Sequence, residues 1–140
     1  MSLSTTKKQY AERLHELADE AYFKRAMLIA SAHNMPVESF PWRFASVVSV
    51  GSHESPDPFV LYANQHPPVE LFARGLTVEI AWLDGRTIPA TGNSFATPPV
   101  TGLCALILRK HPDLAPLHLP SVLPPPATPA GAPSCRTCPP

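Results

Sequence analysis

The sequence predicts an α/β fold, a mostly parallel sheet flanked by helices. Two observations predict it. A helical pattern ending near Lys24-Arg25 runs almost directly into the apolar stretch Ala26-Met27-Leu28-Ile29-Ala30-Ser31-Ala32, which closes on His33-Asn34. A short continuous apolar run after a helix reads as a strand buried on both faces, the kind a parallel sheet contains. The second observation is a helix start at Gly92-Asn93-Ser94, leading into the apolar run Leu103 to Leu108. Helix, buried strand and polar residues at the strand's C-terminal end are the layout of an open α/β sheet. Ligand sites in such sheets lie beyond those strand ends.

The elements follow in order. Ser4, Thr5 or Thr6 can cap a first helix reaching about Arg25. Tyr10, Leu14, Leu17, Ala18 and Ala21 recur at three- and four-residue steps and give it one apolar face. Lys24 and Arg25 suit the negative end of its dipole. The strand at Ala26 to Ala32 comes next, then a loop opened by Met35-Pro36. The β-branched run Val47 to Val50 is a second strand, ended by Gly51. Phe59 to Tyr62 reads as a short edge strand and Val69 to Gly75 as another strand. Leu76 to Trp82 alternates apolar and polar residues, the mark of a half-buried strand, and Asp84-Gly85 signals a hairpin turn. Arg86 to Ala90 returns to the turn before Ser94. One more short helix is expected within Leu114 to Leu123. From Pro124 to Pro140 proline dominates, and such a tail, disordered or polyproline II, cannot bury a core.

Composition narrows the function classes. At 140 residues the chain holds one domain at most. Eleven basic residues balance eleven acidic ones, so no electrostatic footprint for nucleic acid or an anionic membrane is present. The longest apolar run is far too short to span a bilayer, and Met1 to Lys8 lacks the apolar core of a signal peptide. Localisation therefore stays unassigned. The three cysteines, two of them in the proline-rich tail, make no disulfide framework. Cys135 and Cys138 form a single CxxC pair, short of the four ligands that structural zinc takes. His53-Glu54 is not followed by the spacing of a zinc-protease helix. No cofactor and no metal are expected.

The stretch with chemical content is Thr91-Gly92-Asn93-Ser94-Phe95-Ala96-Thr97-Pro98. It places Ser94 where a tight turn becomes the first turn of a helix. Backbone N–H groups there lack intrahelical partners, and the dipole favours negative charge. A hydroxyl so placed can act as a nucleophile if a base is supplied. On spacing alone the simpler reading of Ser94 is a helix N-cap.

Gly92 to Pro98, with Val100 and Gly102, resembles the nucleophile motif of the subtilisin-like serine proteases (subtilases), Gly-Thr-Ser-Met/Phe-Ala-x-Pro-His-Val-Ala-Gly. The resemblance makes Ser94 the catalytic serine. It makes Leu103 to Pro112 the family's buried helix with its Lys-His-Pro exit. Asn93 replaces the family's Thr, and Pro99 replaces its His. Leu28 to Asn34 resembles the strand that ends in Ala-Ala-Gly-Asn, which makes Asn34 the oxyanion-hole donor, with His33 in place of Gly. An Asn amide and the Ser94 N–H are suitable donors for the charge that develops in acyl transfer. Phe40 to Gly51 and Val69 to Gly75 resemble two further strand segments of the family. Met1-Ser2-Leu3-Ser4 resembles the strand end that lines the substrate cleft, so the resemblance implies substrate contacts at Ser2, Leu3 and Ser4.

The expected architecture is thus part of a three-layer subtilisin-like fold. Residues 1–123 form the C-terminal half of a catalytic domain and 124–140 the tail. A hydrolytic serine also needs a base and a group to orient it. The family supplies these from Asp-Ser/Thr-Gly and His-Gly-Thr, and neither motif occurs in this sequence. Of the six histidines (His15, His33, His53, His66, His111 and His118), only His33 adjoins an expected site residue. The expectation is a serine-type endopeptidase segment, inactive alone, whose partners are a polypeptide substrate or peptide ligand and a complementary N-terminal subtilase half. The alternative is a non-catalytic peptide-binding or interaction module derived from a subtilase, binding extended segments by strand addition.

Overall fold

The computed structural model of the protein describes residues 1–2, 4–64, 68–115, 118 and 122–123. A 3-10 turn at Lys8–Tyr10 opens helix α1, Ala11–Phe23. Strand β1, Leu28–Ser31, follows, then β2, Val47–His53; β3, Tyr62–Ala63; β4, Leu71–Arg74; β5, Val78–Ala81; β6, Thr87–Ala90; and helix α2, Asn93–Lys110. Leu3, the proline-rich residues 124–140 with their CxxC pair, and half of the stretch 114–123 expected to hold a helix lie outside the described residues.

The main sheet has the order β1-β2-β4-β3. β1 runs parallel to β2, with Ile29 opposite Val48, and β2 parallel to β4, with Val50 opposite Leu71. β3 closes one side as a two-residue antiparallel edge. β5 and β6 form a separate antiparallel hairpin. Its turn carries left-handed φ at Asp84 (57°) and Gly85 (69°), the geometry that matches the twist of the flanking strands.

Side chains alternate along the strands, so the sheet has two buried faces. Ile29, Val48, Val50, Leu71 and Ala73 face α2 and meet Ala96, Val100 and Cys104. Ala30, Ala32, Val47 and Phe72 face the other way, toward Ala18 of α1 and Trp42. Helix, sheet and helix make the three layers expected of the sequence. Each fully buried side chain of this kind, such as Leu71 or Val100, contributes ~1.5–3 kcal/mol.

Three local differences from the sequence expectations have physical causes. α1 stops at Phe23, before Lys24-Arg25. Arg25 takes a left-handed conformation (φ 59°), and its N–H and that of Ala26 donate to the carbonyls of Tyr22 and Ala21, which caps the helix. β2 continues through Gly51, because the glycine answers a packing demand: a Cβ there would lie 2.6 Å from the Phe72 ring. α2 presents only one face to the sheet, leaving Leu106 62% exposed.

Candidate active site

Ser94 lies in the first turn of α2, directly above the C-terminal ends of β1 and β2. Gly92 precedes the helix and offers no side chain to cap it. The cap comes from elsewhere in the chain: the Asn93 N–H donates to Asn34 Oδ1 at 2.8 Å. Because a backbone N–H can only donate, this bond fixes which way the Asn34 amide points. Its Nδ2 is turned to the space above Gly92. A Cβ built on Gly92 would lie 3.3 Å from Asn34 Nδ2, 3.5 Å from Ser94 Oγ and 3.6 Å from Asn34 Oδ1, the oxygen already engaged by the Asn93 N–H. The amide donor and the hydroxyl therefore border one small volume, left open by the absence of a side chain at residue 92. The Ser94 N–H, in the first turn, has no carbonyl four residues back within its helix. A carbonyl oxygen brought to this volume would meet a hydroxyl and N–H donors together.

Two neighbouring contacts hold the turn. The Gly92 N–H donates to the Gly75 carbonyl at 2.9 Å, tying the turn to the loop after β4. Gly75 is required by close approach, since a Cβ on it would fall 2.5 Å from Ser52 Cβ and 2.9 Å from the Gly92 oxygen. At the helix itself, Pro98 has no N–H for the carbonyl of Ser94. The Ser2 hydroxyl donates to that carbonyl instead, at 3.1 Å. Ser2 is thus brought beside Ser94. Ser4 is half-buried, one residue before Thr5, which bridges to Phe40 through paired backbone hydrogen bonds. Leu3, the remaining residue expected to contact substrate, lies outside the described residues.

Asn93 is the residue whose importance the sequence did not reveal. It reads as turn chemistry, yet it is only 6% exposed and its carboxamide makes four hydrogen bonds. Oδ1 accepts from the Ser52 N–H at 2.9 Å and from the Ser52 hydroxyl at 2.7 Å. Nδ2 donates to the carbonyls of Ala32 at 3.1 Å and His33 at 3.2 Å. The only sequence signal was its departure from the family pattern.

Neither His33, His53, His15 nor His111 is arranged as a base for Ser94. His33 is next to Asn34, but its Nδ1 accepts the Met35 N–H at 3.1 Å. The neutral ring then carries its proton on Nε2 and has no free lone pair. The ring nitrogens of His53 face the carbonyls of Glu54 and Val60, at 2.9 and 3.1 Å. His15 stacks on Phe44 along α1, and His111 caps the far end of α2, about 25 Å from Ser94 at 1.5 Å per helical residue. His66 lies outside the described residues. Cys104, the described thiol, is buried against the sheet, and burial pushes its pKa up to about 11, so it is not a competing nucleophile. Among the described residues no cluster of three or more His, Cys, Asp or Glu side chains could hold a metal ion.

Residues 1–132 match the family model described as the Subtilase family. Over 98 residues the chain is 34% identical to alkaline serine exoprotease A of Vibrio alginolyticus, covering 69% of this chain and 18% of that protein. Over 85 residues it is 36% identical to an extracellular serine proteinase of Thermus sp. (strain Rt41A), covering 59% and 21%. The crystal structure of a cold-adapted subtilisin-like serine proteinase superposes with a TM-score of 0.68 at 31% identity, covering 88% of this chain and 45% of that one. The S41 psychrophilic protease shares the fold, with a TM-score of 0.66. The chain spans less than half the length of each of these proteins.

Proposed function

This chain belongs to the subtilase family, and from that premise we propose that it is the nucleophile-bearing segment of a serine endopeptidase. Ser94 is the nucleophile, and Asn34 Nδ2 with the Ser94 N–H receives the oxyanion. The segment is inactive by itself, because neither the Asp-Ser/Thr-Gly nor the His-Gly-Thr motif occurs in the sequence. The observation that carries this reading is the shared volume above Gly92, bordered by the Ser94 hydroxyl and the Asn34 carboxamide with its Nδ2 nearest. Such donors are worth on the order of 10²–10³ in rate, but without a base the serine hydroxyl stays protonated and weak.

The base and its orienting carboxylate belong to the part of the family's catalytic domain that this sequence does not contain, the N-terminal half. The geometry of β1 supports this. Its outer edge is bonded by Met1 alone among the described residues: the Met1 amino group donates to the Ile29 carbonyl, and the Ser31 N–H donates to the Met1 carbonyl at 3.1 Å. That is the pattern of a parallel pair, so the edge is formed for a strand running the same way. The substrate is an extended polypeptide passing Ser2, Leu3 and Ser4 toward Ser94.

A fluorophosphonate probe and a peptide titration test the reading together. The 140-residue chain is expected to label no more than its Ser94→Ala variant. Labelling that Ser94→Ala abolishes would overturn the claim of inactivity. An unlabelled extended peptide is expected to shift the NMR resonances of the Asn34 side-chain amide and the Ser94 N–H. A titration to millimolar peptide that leaves both unmoved would sink the site assignment.

A further inference from the structure

We propose that Asn93 is the positioning residue of this site: its buried carboxamide sets the spacing between Asn34 and Ser94 from within this chain. The inference rests on the reading of Ser94 and Asn34 as the functional pair. It adds that their geometry is assembled without any other polypeptide.

The argument starts from hydrogen-bonding capacity. An Asn side chain offers two donor hydrogens and two acceptor lone pairs. Asn93 uses all four, with Ser52 on the oxygen and the carbonyls of Ala32 and His33 on the nitrogen. The orientation is not ambiguous. The Ser52 N–H cannot accept and the two carbonyls cannot donate, so a flipped amide would oppose like groups at three contacts.

The bonds also join separate parts of the fold. Ser52 belongs to β2, Ala32 and His33 follow β1, and Asn93 is the first residue of α2. One side chain thus pins the ends of two neighbouring parallel strands to the helix that carries Ser94. Through its backbone the same residue donates to Asn34 Oδ1, which orients the Asn34 amide, and its carbonyl accepts the Thr97 hydroxyl at 3.0 Å inside the helix. Moving Asn93 therefore moves Asn34 and Ser94 at once. The Thr of the family pattern has a single hydroxyl, with one donor and two acceptor sites, and cannot make these four bonds. The clamp is specific to a sequence with Asn at this position.

The test is NMR on the full isotope-labelled chain without peptide, so its outcome does not depend on whether the site binds or reacts. In the wild type both Asn93 carboxamide protons are expected to exchange with solvent at least tenfold more slowly than those of exposed Asn34. Equal rates would overturn the proposal with no variant required. An NOE between the Asn34 amide protons and the Gly92 Hα protons is also expected. Asn93→Ala and Asn93→Asp should both lose this NOE; the Asp variant keeps the contact to Ser52 but places oxygen against the two carbonyls. Val47→Ala, a cavity variant in the opposite layer, should keep it at comparable loss of stability. If both Asn93 variants retain the NOE, or Val47→Ala loses it equally, Asn93 is merely structural and the proposal fails.

Discussion

At the scale of single residues, the polar groups around the sheet divide into those that hold a charge easily and those that do not. Glu70 is of the second kind. Partial burial beside β2 raises its pKa, and the hydrogen bond that it accepts from the Ser49 N–H offsets only part of this. The native carboxyl therefore keeps its proton to a higher pH than the unfolded one, whose value is ~4.3. In the interval between the two, the native state binds more protons, so stability falls as pH rises. Urea unfolding midpoints are expected to decline from about pH 4.3 up through the native Glu70 value. In Glu70→Gln, which can still accept from Ser49, that segment of the decline should vanish. An unchanged pH profile in the variant would show that burial of Glu70 is not its source. Asn93 shows the limit of reading single residues from sequence. Its local signal is a turn former, and the partners that bury it lie 41 and about 60 positions away. The reading of Ser94 and Asn34 as a pair comes only from the long motif; spacing alone favoured a helix cap for Ser94.

Individual elements were easier to read, because their causes are local. α1, β1 and α2 each follow from an apolar period or an uninterrupted apolar run, and the Asp84-Gly85 turn from the conformational freedom of its residues. The errors fell at element ends, where the deciding contact is distant. Gly51 reads as a strand terminator, but the ring of Phe72 in the neighbouring strand is what excludes a side chain there. The end of α1 shows a related conflict between sequence and geometry. The capping residue has left-handed φ, which glycine adopts freely, yet the residue is Arg25. Left-handed backbone costs a non-glycine residue about 1 kcal/mol. The Arg25 guanidinium donates to the Asp113 carbonyl at 3.1 Å, an exposed contact worth less than that strain. Arg25→Gly is expected to stabilise the fold by roughly 0.5–1 kcal/mol, read as a higher urea midpoint with unchanged slope. A lower midpoint would mean that the tie to Asp113 outweighs the strain.

For the whole molecule, the resemblance implied both the three layers and their incompleteness, and the packing shows which surfaces are left uncovered. α2 is apolar on nearly all sides, the composition of a helix that is covered all round. Here the sheet covers one face, while Ala105 is exposed and Leu106 is 62% exposed on the other. β1 offers a parallel edge that Met1 alone engages among the described residues. A sheet edge with unpaired N–H and C=O groups recruits other chains, and contiguous exposed apolar surface does the same. Net charge gives no opposing force, since acidic and basic residues balance at eleven each. The isolated chain is therefore expected to self-associate reversibly as its concentration rises through the micromolar range. Sedimentation equilibrium would read this as a weight-average mass climbing above that of the monomer. Leu106→Glu removes apolar area from the uncovered face of α2 without touching the core, because the side chain already points to solvent. It should weaken association at least fivefold and leave the urea midpoint of the dilute protein unchanged. If it leaves the mass distribution as it was, the open edge of β1 is the dominant contact. A chain that stays monomeric to hundreds of micromolar would mean that neither surface is as exposed in solution as the packing implies. The case for a complementary partner on those surfaces would fall with it.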